Sequence, residues 1–150
     1  MQKITPFLWF NDNAEEAMNF YVSVFKNSKA LSIIPGPNGK AMGVTFELEG
    51  VQFRGLNGGP LYNFTEAISM MVDVETQQEV DELWSQLTEG GSEGRCGWLK
   101  DKYGLSWQII PKALAQLMSD PDPIKAKNTM EAMMKMNKIE IHKLQEAHDK

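Results

Sequence analysis

One amphipathic helix pattern occurs twice in this chain at a constant spacing, and that repeat limits the possible folds more than any other feature. Residues 14–25 set Ala17, Phe20, Tyr21 and Val24 on one helical face, with Asn13 as cap and Glu15 and Glu16 in the first turn. Thr76 opens a second helix, running to about Leu87, with Val80, Leu83, Trp84 and Leu87 on its apolar face. Each of these four follows its counterpart at one and the same offset, Ala17 to Val80 through Val24 to Leu87. The strands before the helices, 4–10 and 67–74, fit that offset too. Strands follow both helices. Residues 31–34 end at Pro35-Gly36-Pro37, and 43–49 alternate Val44, Phe46 and Leu48 with Thr45 and Glu47. Gly50 turns the chain into 51–57, which Gly58-Gly59-Pro60 breaks. In the second half, strands near 94–100 and 105–111 flank the turn Asp101-Lys102-Tyr103-Gly104. The closing strands correspond at a shorter offset, Gly50-Val51-Gln52-Phe53-Arg54 with Gly104-Leu105-Ser106-Trp107-Gln108. An internal repeat of this kind predicts an α+β fold of two βαβββ modules, 1–62 and 63–112, the second with a shorter hairpin.

Residues 113–150 stand outside the repeat. Ser119-Asp120-Pro121-Asp122-Pro123 reads as a hinge, with Asp122 as helix cap and Pro123 at the first helical position. The following residues, 124–136 and 139–147, form one or two amphipathic helices rich in Met, Ala and Lys. This extension packs on its own chain or on a partner subunit. A net charge of −5 argues against a nucleic-acid surface. A single cysteine allows no intramolecular disulfide. The N-terminal MQKITPFLWFNDN does not read as a signal peptide, and no apolar run approaches a membrane span. The expectation is a cytoplasmic protein bound to no membrane.

The chemistry concentrates in CGWLKDKYGLSWQIIP, residues 96–111. Leu105, Trp107 and Ile109 alternate with Ser106 and Gln108, so this strand has one apolar and one polar face. Arg54 and Gln108 hold equivalent positions, opposite in phase to Phe53 and Trp107. An arginine and an amide on an open sheet face suit a carboxylate, phosphate or enolate. Alternatively Arg54 pairs with Glu47 and only stabilises the sheet. Trp98, Lys100, Asp101 and Tyr103 lie on or beside the turn, where loops close over ligands. For Asp101 and Lys102, turn chemistry is the simpler reading, and Trp98 and Trp107 also suit a core. The Asn57 amide either faces the ligand or serves a turn or cap. Cys96 lacks a core histidine to act as its base, because both histidines, His142 and His148, lie in the tail. Those two do not share the one-turn spacing of a helical metal pair and read as solvated. The run Gly90-Gly91-Ser92-Glu93-Gly94 follows a helix and leads into a strand, the wrong order for a nucleotide-type loop.

The stretches ITPFLWFNDNAEEAMNFYVSVF, LNGGP, EAISMMVDV and GWLKDKYGLSWQIIP resemble the PhnB-like branch of the glyoxalase/bleomycin-resistance, or vicinal oxygen chelate, superfamily. That branch often carries the label 3-demethylubiquinone-9 3-methyltransferase. The resemblance runs over nearly the whole chain, including the Asp-Pro-Asp-Pro hinge and the C-terminal helices. It implies that the modules form a cupped mixed sheet holding a divalent metal and a small substrate with adjacent oxygens. Its metal ligands are His, Gln or Glu on the first and last strands of each module. The corresponding positions here are Pro6, Ala67 or Ser69, Arg54 and Gln108, a set that departs from the metal-binding pattern. Glu47, Glu66 and Asp73 are the acidic side chains left for a hard cation.

The resulting expectation is a small-molecule-binding protein with a metal-free cup, no cofactor and a small organic anion as ligand. Arg54, Gln108, Asn57, Ser106 and Trp98 are the expected ligand contacts. The alternatives are a superfamily enzyme of lyase, isomerase or dioxygenase type and, as the label implies, a quinone-ring methyltransferase. No catalytic residue is assigned, though Tyr103 and Lys100 are the candidate proton donors. The resemblance also implies a homodimer.

Overall fold

The computed structural model describes residues 2–150, which divide between Phe64 and Thr65 into two compact units. The first contains β1 (Phe7–Phe10), α1 (Ala14–Val24), β2 (Lys29–Pro35), β3 (Ala41–Leu48) and β4 (Val51–Asn57). The second contains β5 (Met70–Val74), α2 (Gln77–Thr88), β6 (Ser92–Glu93), β7 (Trp98–Lys100) and β8 (Ser106–Pro111), then α3 (Lys112–Met118), α4 (Pro123–Met134) and α5 (Ile141–His148). The sheet orders are β1-β4-β3-β2 and β5-β8-β7-β6. In each sheet the first two strands are parallel and the remaining pairs antiparallel. The α+β fold of two βαβββ modules with a helical tail is therefore present. Among the described residues, no helix is long and apolar enough to cross a membrane.

The sheet registers refine the repeat. Phe7 pairs with Arg54, and Met71 pairs with Gln108. With Arg54 and Gln108 equivalent, Phe7 corresponds to Met71, an offset one longer than that of the helices. The link from β1 to α1, Asn11 to Asn13, is correspondingly one residue longer than the link from β5 to α2, Glu75 and Thr76. The slip keeps Phe10 and Val74, each 2% exposed, in phase on the helix side.

Helix α1 buries Ala14, Ala17, Met18 and Tyr21, so Met18 takes the core position expected of Phe20 and Val24, which are only half-buried. Tyr21 meets Phe46, and Phe46 stacks on Phe53 with centroids 5.5 Å apart. In the second unit, α2 buries Val80, Trp84 and Leu87, and the sheet buries Leu99, Trp107 and Ile109.

The tail packs on the second unit of its own chain. Ile110, Leu114, Met136, Ile139 and Leu144 form one apolar cluster. Cys96 N donates to Met136 O and Gly97 N to Asn137 O, both at 2.8 Å. The Gln77 amide grips both sides of the turn before α5, donating to Ile139 O at 2.9 Å and accepting from Ile141 N at 2.7 Å. Asp122 caps α4 as expected, accepting from Ile124 N. The reading of His148 as solvated is corrected. It is 8% exposed, with Nε2 2.8 Å from Asp120 and Nδ1 2.8 Å from Asp149, because the hinge folds back against the end of α5.

Candidate ligand-binding site

In the second unit, β7 and β8 pair Trp98 with Gln108 and Lys100 with Ser106. Leu99, Trp107 and Ile109 take the opposite, core-packed face. Alternation therefore gathers Trp98, Lys100, Ser106 and Gln108 on one sheet face. Trp98, Lys100 and Ser106, with Glu66, Ser92 and Gly94, border a cavity of about 150 Å³. Ser106 is 1% exposed, and among the described residues its hydroxyl is the buried side-chain polar atom without a hydrogen-bond partner. Leaving such a group unpaired costs about 1–3 kcal/mol unless something else satisfies it. Lys100 forms an ion pair with Glu66. That hydrogen bond, and the ammonium charge behind it, hold the Glu66 carboxyl below its usual range. Gln108 Nε2 donates to Ser69 Oγ at 2.9 Å.

Asp101 holds these strands in register. Its carboxylate is 2% exposed and accepts from Tyr103 N at 2.8 Å, Leu105 N at 3.1 Å and Trp107 Nε1 at 2.9 Å. The expected turn role is thus present, with an added tie to the core indole. Tyr103 is half-buried in this turn, with the Lys102 ammonium 5.6 Å from its ring centre, and it does not line the cavity.

In the first unit, Arg54 lies in the cross-strand row Phe7, Arg54, Thr45, Ser32. It is exposed, and among the described residues no carboxylate reaches ion-pair distance of its guanidinium, Glu47 included. Asn57 uses both ends of its amide on backbone. Oδ1 accepts from Ala14 N and Nδ2 donates to Ala41 O, each at 2.8 Å. It caps α1 in place of Asn13, which makes no side-chain cap bond. The LNGGP stretch also anchors Trp9, whose Nε1 donates to Gly59 O at 2.9 Å.

A family model described as 3-demethylubiquinone-9 3-methyltransferase matches residues 2–110. The chain belongs to this family. A PhnB protein from Bacillus cereus that bears the same methyltransferase designation is 37% identical, with a TM-score of 0.70 over 73% of this chain and 99% of that one. A glyoxalase/bleomycin-resistance/dioxygenase domain from Frankia is 14% identical, with a TM-score of 0.52 over 74% of this chain and 92% of its own. The fosfomycin resistance protein FosX from Listeria monocytogenes, solved with Mn(II) and sulfate, is 15% identical, with a TM-score of 0.53 over 73% and 92%. The last two share the fold. Comparison with curated proteins finds no match. The chain is thus a PhnB-like member of the vicinal oxygen chelate superfamily. The family match ends at residue 110, so the expected resemblance through the hinge and tail is corrected: α3, α4 and α5 lie beyond it.

The superfamily's metal positions can be assigned from this register. Pro6 falls in phase with buried Leu8 and Phe10, on the helix side, whereas Thr5 and Ser69 fall in phase with the open face. The positions become Thr5 and Arg54 in the first unit, a hydroxyl and a cation, and Ser69 and Gln108 in the second, a hydroxyl and the amide that donates to it. These residues do not fit a catalytic divalent metal. Among the described residues, no three His, Cys, Asp or Glu side chains gather around a common point. The methyl donor implied by the family's description fares no better at the glycine run. A Cβ on Gly91 would lie 2.1 Å from Lys100 O, so that loop is packed against its own sheet rather than open as a cradle.

The site thus brings together Trp98, Lys100, Ser106 and Gln108, while Arg54 and Asn57 belong to the other unit. Sequence reading missed Ser92 and the place of Glu66 at the cavity wall. Neither stands at a position where its stretch signals a cavity, and Glu66 reaches Lys100 from the far side of α2 in the chain.

Proposed function

We propose that this PhnB-like chain binds a small organic anion on the polar sheet face of its second unit, without a metal ion. The observation that carries this reading is the buried, unpartnered Ser106 hydroxyl in a cavity that also presents the Lys100 ammonium. Lys100 supplies countercharge, Ser106 donates to a ligand oxygen and the Trp98 ring contacts the ligand's apolar part. Gln108 positions the neighbouring Ser69 and offers its remaining amide capacity. Arg54 is a separate cationic contact on the polar sheet face of the first unit, supported by its exposure and, among the described residues, its lack of an ion pair. Asn57 acts through the scaffold, since both ends of its amide are engaged.

A homodimer is part of the proposal. Edge strand β2 exposes Leu31, Ile33 and Ile34, a surface suited to a second copy of the chain. With one cysteine and no disulfide, the chain also suits the cytoplasm. A superfamily enzyme is the second reading, favoured by Lys100 at the cavity, where it would serve as proton donor with Tyr103 as the alternative. Quinone methylation, which the family description implies, is the third.

Calorimetric titration with oxalate, pyruvate, benzoate and inorganic phosphate tests the proposal. At least one should bind, and Ser106→Ala and Lys100→Met should each weaken it about tenfold, the worth of one charge-assisted hydrogen bond. Parallel titration with Mn²⁺, Ni²⁺ and Zn²⁺ should give no heat. Binding of about one metal per chain, lost in Gln108→Ala, would overturn the metal-free reading. Saturable binding of S-adenosylmethionine would restore the methyltransferase.

A further inference from the structure

Residues 65–69 open the second unit and bring a carboxylate to its cavity. Ala67 N donates to Thr65 Oγ1 within this segment, and Ser69 at its far end receives the Gln108 amide. Between them, Glu66 borders the cavity and pairs with Lys100, their side chains 61% and 44% exposed. The chain's own carboxylate therefore holds the cavity's ammonium, while the Ser106 hydroxyl nearby is left without an acceptor. We infer that Glu66 is an internal counter-anion, which an incoming ligand must displace from Lys100 in order to reach Ser106. This rests on the anion-binding reading above.

The exchange at Lys100 replaces one carboxylate with another, so the ammonium's contribution is reduced by what the exposed Glu66 pair already takes from it. The ligand adds the hydrogen bond that Ser106 now lacks. The site should therefore prefer ligands with two acceptor oxygens on one small group, a carboxylate or phosphonate, over monatomic anions such as chloride. The displaced pair is largely exposed, and such pairs are weak, so the gate yields to a modest competitor. An apolar residue in place of Glu66 would leave Lys100 free and the site open to any anion.

Glu66→Gln keeps the side chain's shape and removes its charge. Calorimetry with benzoate and oxalate should show roughly two- to fivefold tighter binding to this variant than to wild type, the range that an exposed ion pair can withhold. Lys100→Met should erase the difference, so that Lys100→Met and the Glu66→Gln/Lys100→Met double variant bind alike. Equal or weaker binding by Glu66→Gln, with wild type still binding, would overturn the gate and leave the anion site standing. If neither benzoate nor oxalate binds either protein, the anion site falls, and the role of Glu66 falls with it.

Discussion

The two modules close their equivalent hairpins by different means. Between β3 and β4 the turn is Glu49-Gly50, with φ of 48° and 85°, set between the paired residues Leu48 and Val51. A two-residue turn with both centres at positive φ matches strand twist and needs no side-chain support. Between β7 and β8 the longer turn from Asp101 to Leu105 separates the paired Lys100 and Ser106, and the buried Asp101 carboxylate ties it together. The first solution is local and tolerates almost any neighbouring sequence. The second fastens the turn to Trp107 in the core, immediately beside the two residues that face the cavity. The topology is repeated, but the turn tied by a buried carboxylate is the one between Lys100 and Ser106, which border the cavity.

The largest expected effect follows directly. Asp101→Ala strands three donors and should cost about 3–5 kcal/mol of unfolding free energy in urea. It should also abolish anion binding by releasing β7 from β8. Gly50→Ala forces a Cβ into left-handed backbone that has open space around it, and should cost about 1–2 kcal/mol. Anion binding should survive that change. If the two variants lose equal stability, the buried carboxylate is not what distinguishes the hairpins.

Helix capping sharpens the same contrast. Thr76 caps α2 locally, accepting from Glu79 N at 3.1 Å. Asn57 caps α1 from the end of β4, far along the chain, and also holds β3 through Ala41 O. Asn57→Ala should therefore cost about 2 kcal/mol and Thr76→Ala about 1 kcal/mol, read as urea midpoints at unchanged slope. Equal losses would mean that the Ala41 bond contributes nothing.

What was legible in the sequence is what repeats with a period. Apolar residues at helical spacing located α1 and α2, strict alternation located β3 and β8 with the correct face for Gln108, and the Gly50 turn and Gly58-Gly59-Pro60 break bounded β4. The illegible features join residues far apart in the chain. No local pattern predicts that Asn57 rather than Asn13 caps α1, that Glu66 crosses to Lys100, or that Asp120 folds back on His148. The slip between the strand and helix offsets was hidden because it arises in a short polar link, where no hydrophobic period records it. Ser106 was legible as a polar-face residue, but its lack of a partner depends on every neighbour and so required the structure.

The smallest expected effect is a pH slope confined to one unit. Both histidines lie in the second unit, and only His148 is enclosed. Hydrogen bonds to Asp149 and then Asp120 raise its pKa, while the two aspartates are held low, Asp120 by the Asp122 backbone N–H and then His148, Asp149 by His148 and then Gln145. A raised folded-state pKa means that the imidazolium stabilises fully below about pH 6.5, its unfolded value, and that this is lost as pH rises through the folded value. The aspartates act in the opposite sense, contributing above the usual carboxylate range and losing that contribution in acid. Docking of α5 should therefore be tightest in mildly acidic solution and weaken toward about pH 8. The β3 amides, in the unit without histidine, should show no such slope. Hydrogen exchange converted to opening free energies at about pH 6 and pH 8 reads both regions in one sample. His148→Gln should flatten the α5 slope, and His142→Gln, at an exposed position, should leave it intact. A slope that persists in His148→Gln, or that is shared equally by β3, would show that the hinge-to-α5 contact does not set the tail's pH response.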